Sequence, residues 1–476
     1  MKHKGPETTG LFQPQTGAGV LKRLQVAKIQ NVSRTEATEQ IHFQKRNLFL
    51  NSEENSVFLM LFLAPVFLFL FRLDHLEAGI WNQSQKIENR VRDEIHLLEM
   101  RSKGIMATAS FFFDRSGFEM PVDSNLLTRL HQAAIGLDQS DAWPQQQFQW
   151  LAEKGILGEG IPQEFGGCPI SKQELLSEYE QLSAACLTTS LILTQRNGAC
   201  QRLSGCSNDQ LKQKLLPALA RGELFATVGI SHLTTSRQHV RTPAVAAEFS
   251  GDLIRLNGTI PWVTGAAQAQ YVVTGGTCHD GRQVLVALPT QTSGVAVLPH
   301  AQLMAMTASQ TASIELRDVS ISSIHLLAGP VNEVMKQGQG GGTGSQVTST
   351  LALGLSRRML DLLQQQAEIR PDLIDVADCF ETELNRLRKD LYQSVLESSA
   401  DPEALPSIPA TAAEIRERAN SLVLRISQAA MAVSKGAGYV RGHPAELAVR
   451  EAMFFLVWSC PQPVIHSFLS ELTCQQ

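Results

Sequence analysis

The spacing of apolar residues changes twice along this chain, and that change limits the folds open to it. From Ser124 to about Gly222, apolar residues recur at three- and four-residue steps. From about Phe225 to Val319 they fall in short β-rich runs cut by turns, and after Ser345 the helical spacing returns. A helical block, a β unit of roughly a hundred residues and a second helical block therefore follow one another. The expected class is α+β: an N-terminal α-helical block, a central all-β unit and a C-terminal helical bundle. The expected boundaries are 1–105 for an N-terminal extension, 106–224 for the α domain, 225–328 for the β domain and 329–476 for the bundle.

Local signals fill in these blocks. "SNLLTRLHQAAIGL" reads as a helix with a serine cap. "PQQQFQWLAEKGIL" reads as a second, with Pro144 at its start and Gly155 at its end. "SKQELLSEYEQLSAACLTTSLILTQ" reads as one long, increasingly buried helix, and "SNDQLKQKLLPALARGE" as another, broken at Pro217 and ended by Gly222. In the β unit, "PAVAAEF", "LIRL", "QYVVTG", "QVLVALP", "GVAVLP" and "ASIELRDV" read as strands. Gly251-Asp252, Asn257-Gly258 and Asp280-Gly281 read as the turns between them. Pro261 has no amide hydrogen for a central ladder, so its strand is expected to start or edge a sheet. "KQGQGGGTGS" is a glycine-rich joint to the bundle, and "ADPEALPSIPAT" a proline-rich loop within it.

Composition removes some function classes. A net charge of -5 argues against a nucleic-acid binder, which usually carries a basic face. The 8 cysteines include no Cys-x-x-Cys pair and read as reduced thiols in a cytoplasmic protein. The apolar run Val57 to Phe71 is shorter than the roughly 20 residues that span a bilayer. It fits a short membrane anchor, a segment packed on the body, or sequence upstream of a true start at Met100 or Met106; the last is preferred. "GQGGGTG" lacks the strand-to-helix setting and the Lys-Ser/Thr of a P-loop. "ISHLTTSRQH", with His232 and His239, is too irregular for a metal site, and no metal is expected.

One stretch carries chemistry. "IPWVTGAAQAQYVV" sets Trp262 beside Thr264 and Gly265 at the end of a strand. Trp262 reads first as a core tryptophan, since an indole buries large area and needs one acceptor. An aromatic wall beside a small hydroxyl and an open backbone also suits a planar, nitrogen-rich ring such as a flavin.

In this order, four stretches resemble the flavin-dependent acyl-CoA dehydrogenases: "LAEKGILGEGIPQEFGG", "LKQKLLPALARGELFATVGIS", "IRLNGTIPWVTGAAQAQYVV" and "AVSKGAGYVRGHPAELAVREAMFFLVW". The resemblance covers about Gln147 to the C-terminus. It implies an N-terminal α-helical domain, a central β-barrel-like domain and a C-terminal four-helix bundle, with FAD between the β domain and the bundle, an acyl-CoA or other small-molecule substrate, and a homodimer or homotetramer. It implies that Trp262 covers one face of the ring and that Thr264 bonds near its reactive edge. Ser231 stands for the family's threonine in the Thr-Glu-Pro-x-x-Gly-Ser-Asp stretch. Gly436 and Gly438 come from the Gly-Gly-x-Gly-Tyr junction, with Lys435 in place of the first glycine. The departures concern the chemistry. The family's Arg-x-x-Phe-Gly segment is missing. Ser459 in "WSCPQPVI" occupies the usual glutamate position, and no acid lies between Ala452 and Ser470. The catalytic base is therefore unknown. Three readings follow: an acyl-thioester oxidoreductase, a reduced-flavin-dependent monooxygenase-like relative, or a non-catalytic scaffold.

Overall fold

The computed structural model describes residues 122–234, 242–336, 344–397, 410–458 and 460–473. The run Val57–Phe71, the start-site alternatives, the body of the glycine-rich joint and most of the proline-rich loop lie outside them.

The first helical block holds α1 (Ser124–Ser140), α2 (Gln145–Glu153), α3 (Lys172–Ala185), α4 (Leu187–Ser204) and α5 (Asp209–Ala220). The cap of α1 is Asp123, one residue earlier than expected; its carboxylate accepts from the Leu126 amide at 2.9 Å. A carboxylate there also opposes the positive end of the helix dipole. The expected single long helix is two. Cys186 is extended between α3 and α4, and the Ser190 hydroxyl donates to its carbonyl. Pro217, expected to break α5, sits inside it.

The sheet contains β1 (Ala226–Gly229), β2 (Val245–Ser250), β3 (Leu253–Val263), β4 (Tyr271–Thr277), β5 (Gln283–Pro289), β6 (Val295–Val297), β7 (Ala312–Ser322) and β8 (Leu326–Val331). A single-turn helix, α6 (Ser231–Thr234), follows β1. The strand order is β6-β7-β3-β2-β4-β5-β8, with β1 parallel to β4. The β2–β3 hairpin turns at Gly251-Asp252, as its sequence signals. Asn257-Gly258 is not a turn; it lies within β3, where Gly258 pairs with both Val245 and Leu316. Glycine is needed there because an added Cβ would meet the Ala244 carbonyl oxygen at 2.1 Å. Pro261 is likewise on an internal strand rather than an edge. It is accommodated by a register shift against β7 between Ile260 and Val263, where the regular ladder is interrupted.

The second helical block holds α7 (Gly344–Ile369), α8 (Ile374–Glu397), α9 (Ala412–Gly438), α10 (Pro444–Met453) and α11 (Gln462–Leu472). Its apolar faces and those of α1 to α4 share one core, which includes Leu130, Leu176, Leu355, Leu384, Ile426 and Phe455. The sheet has two further cores. One face packs on itself through Ile254, Ile260, Val272 and Ile314, and the other packs under α4 and α5 through Leu203, Leu215, Val273 and Ala287. The two helical blocks therefore form a common frame, and the end of β3 is held against that frame.

Candidate functional site

The end of β3 is built from strain and hydroxyl groups. Trp262 has φ of 57°, a region that a bulky L-residue rarely enters, and it stands on the register shift. Its side chain is 60 % exposed, while Val263 beside it is fully buried. The indole is thus turned out of the sheet, contrary to the core reading. Two residues on, Thr264 is buried, and its hydroxyl lies 3.2 Å from that of Thr311 at the start of β7. The hydroxyl of Thr311 lies 2.8 Å from that of Ser309.

The helical frame fixes this end. Gly265 has φ of 66°, and an added Cβ would stand 2.8 Å from both Phe225 and Trp143. Trp143 and Phe225 are edge to face at 5.2 Å, with Phe148 packed on both. The Gly265 amide donates to the Ser309 carbonyl at 2.9 Å, tying the turn after β3 to the loop before β7. That loop has Met306 at φ 60° and Gln310 at φ 47°. The Gln268 amide donates to the Gln310 side-chain oxygen at 2.9 Å, holding the second of them. Arg450 on α10 donates to the Met304 carbonyl at 2.9 Å and reaches Asp138 on α1 with both terminal nitrogens. Three backbone positions in strained regions near one exposed aromatic side chain mark a place where the fold sacrifices local ease for geometry.

Ser231 belongs to the same end. Its hydroxyl donates to the Pro261 carbonyl at 3.3 Å, one residue from Trp262. His232 follows it and is anchored by Nε2–H donating to the Gly275 carbonyl at 2.9 Å. Its Nδ1 is buried and has no partner among the described residues, and burial pulls the imidazole pKa down, so the ring is neutral near pH 7. From sequence alone this histidine reads as structural or exposed rather than as a metal ligand.

The glycines expected from the C-terminal junction behave differently from each other. Gly436 is exposed, and an added Cβ would meet nothing within 4 Å. Gly438 is buried, and an added Cβ would stand 2.6 Å from Ser434 Cβ, so helix packing requires its small size. Lys435 has φ 52° and ψ -145°, backbone geometry that glycine adopts easily and lysine does not. The chain thus keeps a glycine-like bend where it carries lysine. Ser459 lies outside the described residues. The first turns of α7 carry the buried neutral side chains of Thr348, Ser349 and Thr350.

Sequence missed Ser309 and Thr311, which stand 45 and 47 residues after Thr264 and reach it only through the β3–β7 pairing. An exposed indole beside inward-braced hydroxyls can hold a flat ligand with hydrogen-bonding atoms on its rim.

Comparison with known proteins agrees with this architecture. Residues 123–223 match the family model for the acyl-CoA dehydrogenase N-terminal domain. The chain is 26 % identical over 329 residues to the probable acyl-CoA dehydrogenase YngJ of Bacillus subtilis, covering 66 % of this chain and 86 % of that one. Among solved structures, glutaryl-coenzyme A dehydrogenase with glutaryl-CoA aligns with a TM-score of 0.63 at 18 % identity, covering 75 % of this chain and 97 % of that one. KijD3 in complex with FMN and a dTDP-linked amino sugar aligns at 0.60 and 18 %, covering 76 % and 97 %. Residues 123–223 thus carry the N-terminal domain of the acyl-CoA dehydrogenases, and the chain as a whole is similar to that family in its helical–β–helical order and in sequence.

Proposed function

We propose that this protein is a flavin-dependent oxidoreductase that holds FAD against Trp262 and oxidises an acyl thioester at its α,β bond. The observation that carries the reading is the indole, 60 % exposed at a positive φ on the bulge of β3. The surrounding groups fit a flavin: an aromatic face, a buried hydroxyl at Thr264, a half-buried one at Ser231, and an open backbone at Gly436. Trp262 would cover one face of the ring, and Thr264 and Ser231 would bond its polar rim. Gly436 and Gly438 come from the bundle junction, where Gly436 offers the accessible backbone. When bound, FAD supplies a hydride acceptor.

The protein's own task is to bind the ring, exclude water from its covered face and remove a proton from the substrate. Dehydrogenation needs a base within hydrogen-bond reach of the α-proton. Ser459 takes the usual place of the acid, and a neutral hydroxyl cannot remove that proton unaided. This favours a second reading in which reduced flavin and oxygen act on a small molecule and no α-proton base is required. The scaffold reading requires that no flavin binds.

Exposed Tyr439, Val440, Val457 and Leu472 leave apolar surface on the bundle and support self-association as a homodimer or homotetramer. All cysteines among the described residues are free, which supports a reducing, cytoplasmic setting. Anaerobic titration separates the readings. Bleaching of the flavin band by acyl-CoA supports thioester oxidation. Bleaching only by a flavin reductase, followed by oxygen uptake, supports the monooxygenase-like reading. A folded protein that takes up no flavin leaves the scaffold.

A further inference from the structure

We propose that Ser309 and Thr311 form a buried hydroxyl relay that fixes the proton of Thr264 in the outward direction, making Thr264 an obligate donor to the rim of the bound ring. Ser309 and Thr311 are positioning residues. The inference rests on the flavin reading of the Trp262 end and goes beyond it by assigning the polarity of that contact.

Two bonds make up the relay, Ser309 to Thr311 at 2.8 Å and Thr311 to Thr264 at 3.2 Å. Ser309 is fully buried, Thr311 is 8 % exposed and Thr264 is 6 % exposed, so water does not settle the assignment. Each hydroxyl has one proton to donate. Thr311 therefore cannot donate to both neighbours, and three arrangements remain. If both outer hydroxyls donate to Thr311, its own proton has no acceptor. If the protons run inward from Thr264, the Ser309 proton is stranded, because the Ser309 hydroxyl has no other partner among the described residues. With a ligand at the Trp262 end accepting from Thr264, either of these arrangements still leaves a buried donor unsatisfied, at a cost of about 1–3 kcal/mol. Only the outward arrangement uses both inner protons: Ser309 donates to Thr311, and Thr311 donates to Thr264.

The outward arrangement has a chemical consequence. The proton of Thr264 is then the single one without an acceptor in the relay, on a residue two positions along the chain from the exposed Trp262. An acceptor must come from a ligand, and a ring nitrogen or ring carbonyl supplies one. The backbone makes the relay rigid. Ser309 is held by its carbonyl on the Gly265 amide, and the loop is bent at Met306 and Gln310. Bonding already made to Thr264 from Thr311 also polarises its O–H and strengthens it as a donor.

A donor to a ring that gains negative charge on reduction favours the reduced state. The relay is tested with the full chain loaded with FAD, by measuring FAD affinity and the reduction potential of the bound flavin in wild type, Thr264→Val, Thr311→Val, Thr311→Ser and Ser309→Ala. The expected result is a shift of the potential to more negative values in Thr311→Val and Ser309→Ala, in the same direction as in Thr264→Val. FAD affinity is expected to fall about 5- to 10-fold, the size of one hydrogen bond. Thr311→Ser is expected to restore both. Ser309→Ala removes a single oxygen, so it keeps the test open if Thr311→Val fails to fold. A wild-type protein that binds FAD, a Thr264→Val variant with a shifted potential, and Thr311→Val and Ser309→Ala variants at the wild-type potential would overturn the relay and leave the flavin reading intact. An unchanged potential in Thr264→Val would overturn it too. A folded wild type that takes up neither FAD nor FMN would overturn both.

Discussion

Arg450 grips Asp138 with both of its terminal nitrogens, at 2.8 and 2.7 Å, and so joins the second helical block to the first helix of the chain. The same guanidinium donates to Glu446 and to the Met304 carbonyl on the loop that leads to Ser309 and Thr311. Its charge is stabilised by the two carboxylates. Truncation in Arg450→Ala would leave Asp138, only 8 % exposed, without its main partner. A loss of about 3 kcal/mol in unfolding free energy is expected. Denaturant unfolding of wild type and variant checks this, and FAD affinity should fall in parallel because the loop loses its clamp.

Gly265 is a second point of attachment. At φ 66°, with Trp143 and Phe225 within 2.8 Å of the missing Cβ, it has no room for a side chain. Gly265→Ala should cost about 2–3 kcal/mol through overpacking and backbone strain. The displaced turn carries Thr264 and Trp262, so the exposed indole's fluorescence should change along with the melting temperature.

Glu178 gives a pH dependence opposite in sign to that of most carboxylates. Burial and the neighbouring Glu159 carboxylate push its pKa up, well above the ordinary range. The folded state then holds a proton that the unfolded chain releases near pH ~4.3. Folding stability from this group is fully present below that pH and falls as pH rises toward the raised folded value. Glu178→Gln should therefore match wild type near pH 4 and be more stable by about 2 kcal/mol at pH 8, with a shallower loss at alkaline pH. Thermal melts across that range read the difference.

Much of the fold could be read from spacing. Most of the helices, six of the strands and the order of blocks follow from apolar periodicity, because core faces demand it. The break at Cys186 carries no glycine or proline, so propensity could not mark it. Asn257-Gly258 carries a turn signal, yet the glycine serves the close approach of Ala244 within a long strand. β1 and β8 are defined by their pairing with β4 and β5 rather than by their own pattern. At the site, the Trp262–Thr264 pair was visible because its residues are adjacent in sequence. Whether the indole faced inward or outward was not, since that depends on the bulge at Trp262. Ser309 and Thr311 look like ordinary loop hydroxyls until β7 lies beside β3. Ser231 was reached by resemblance, and its bond to the Pro261 carbonyl gives it a place beside Trp262.

The most direct measurement is the visible spectrum of the purified full chain after incubation with FAD and removal of unbound ligand, for wild type and Trp262→Ala. The expected result is a yellow wild-type protein with the flavin band perturbed from that of free FAD and tryptophan emission quenched, and a Trp262→Ala variant that folds but retains much less flavin. A folded wild type that stays colourless, or a Trp262→Ala variant that binds FAD with an unchanged spectrum and affinity, would contradict the placement of a flavin against this indole.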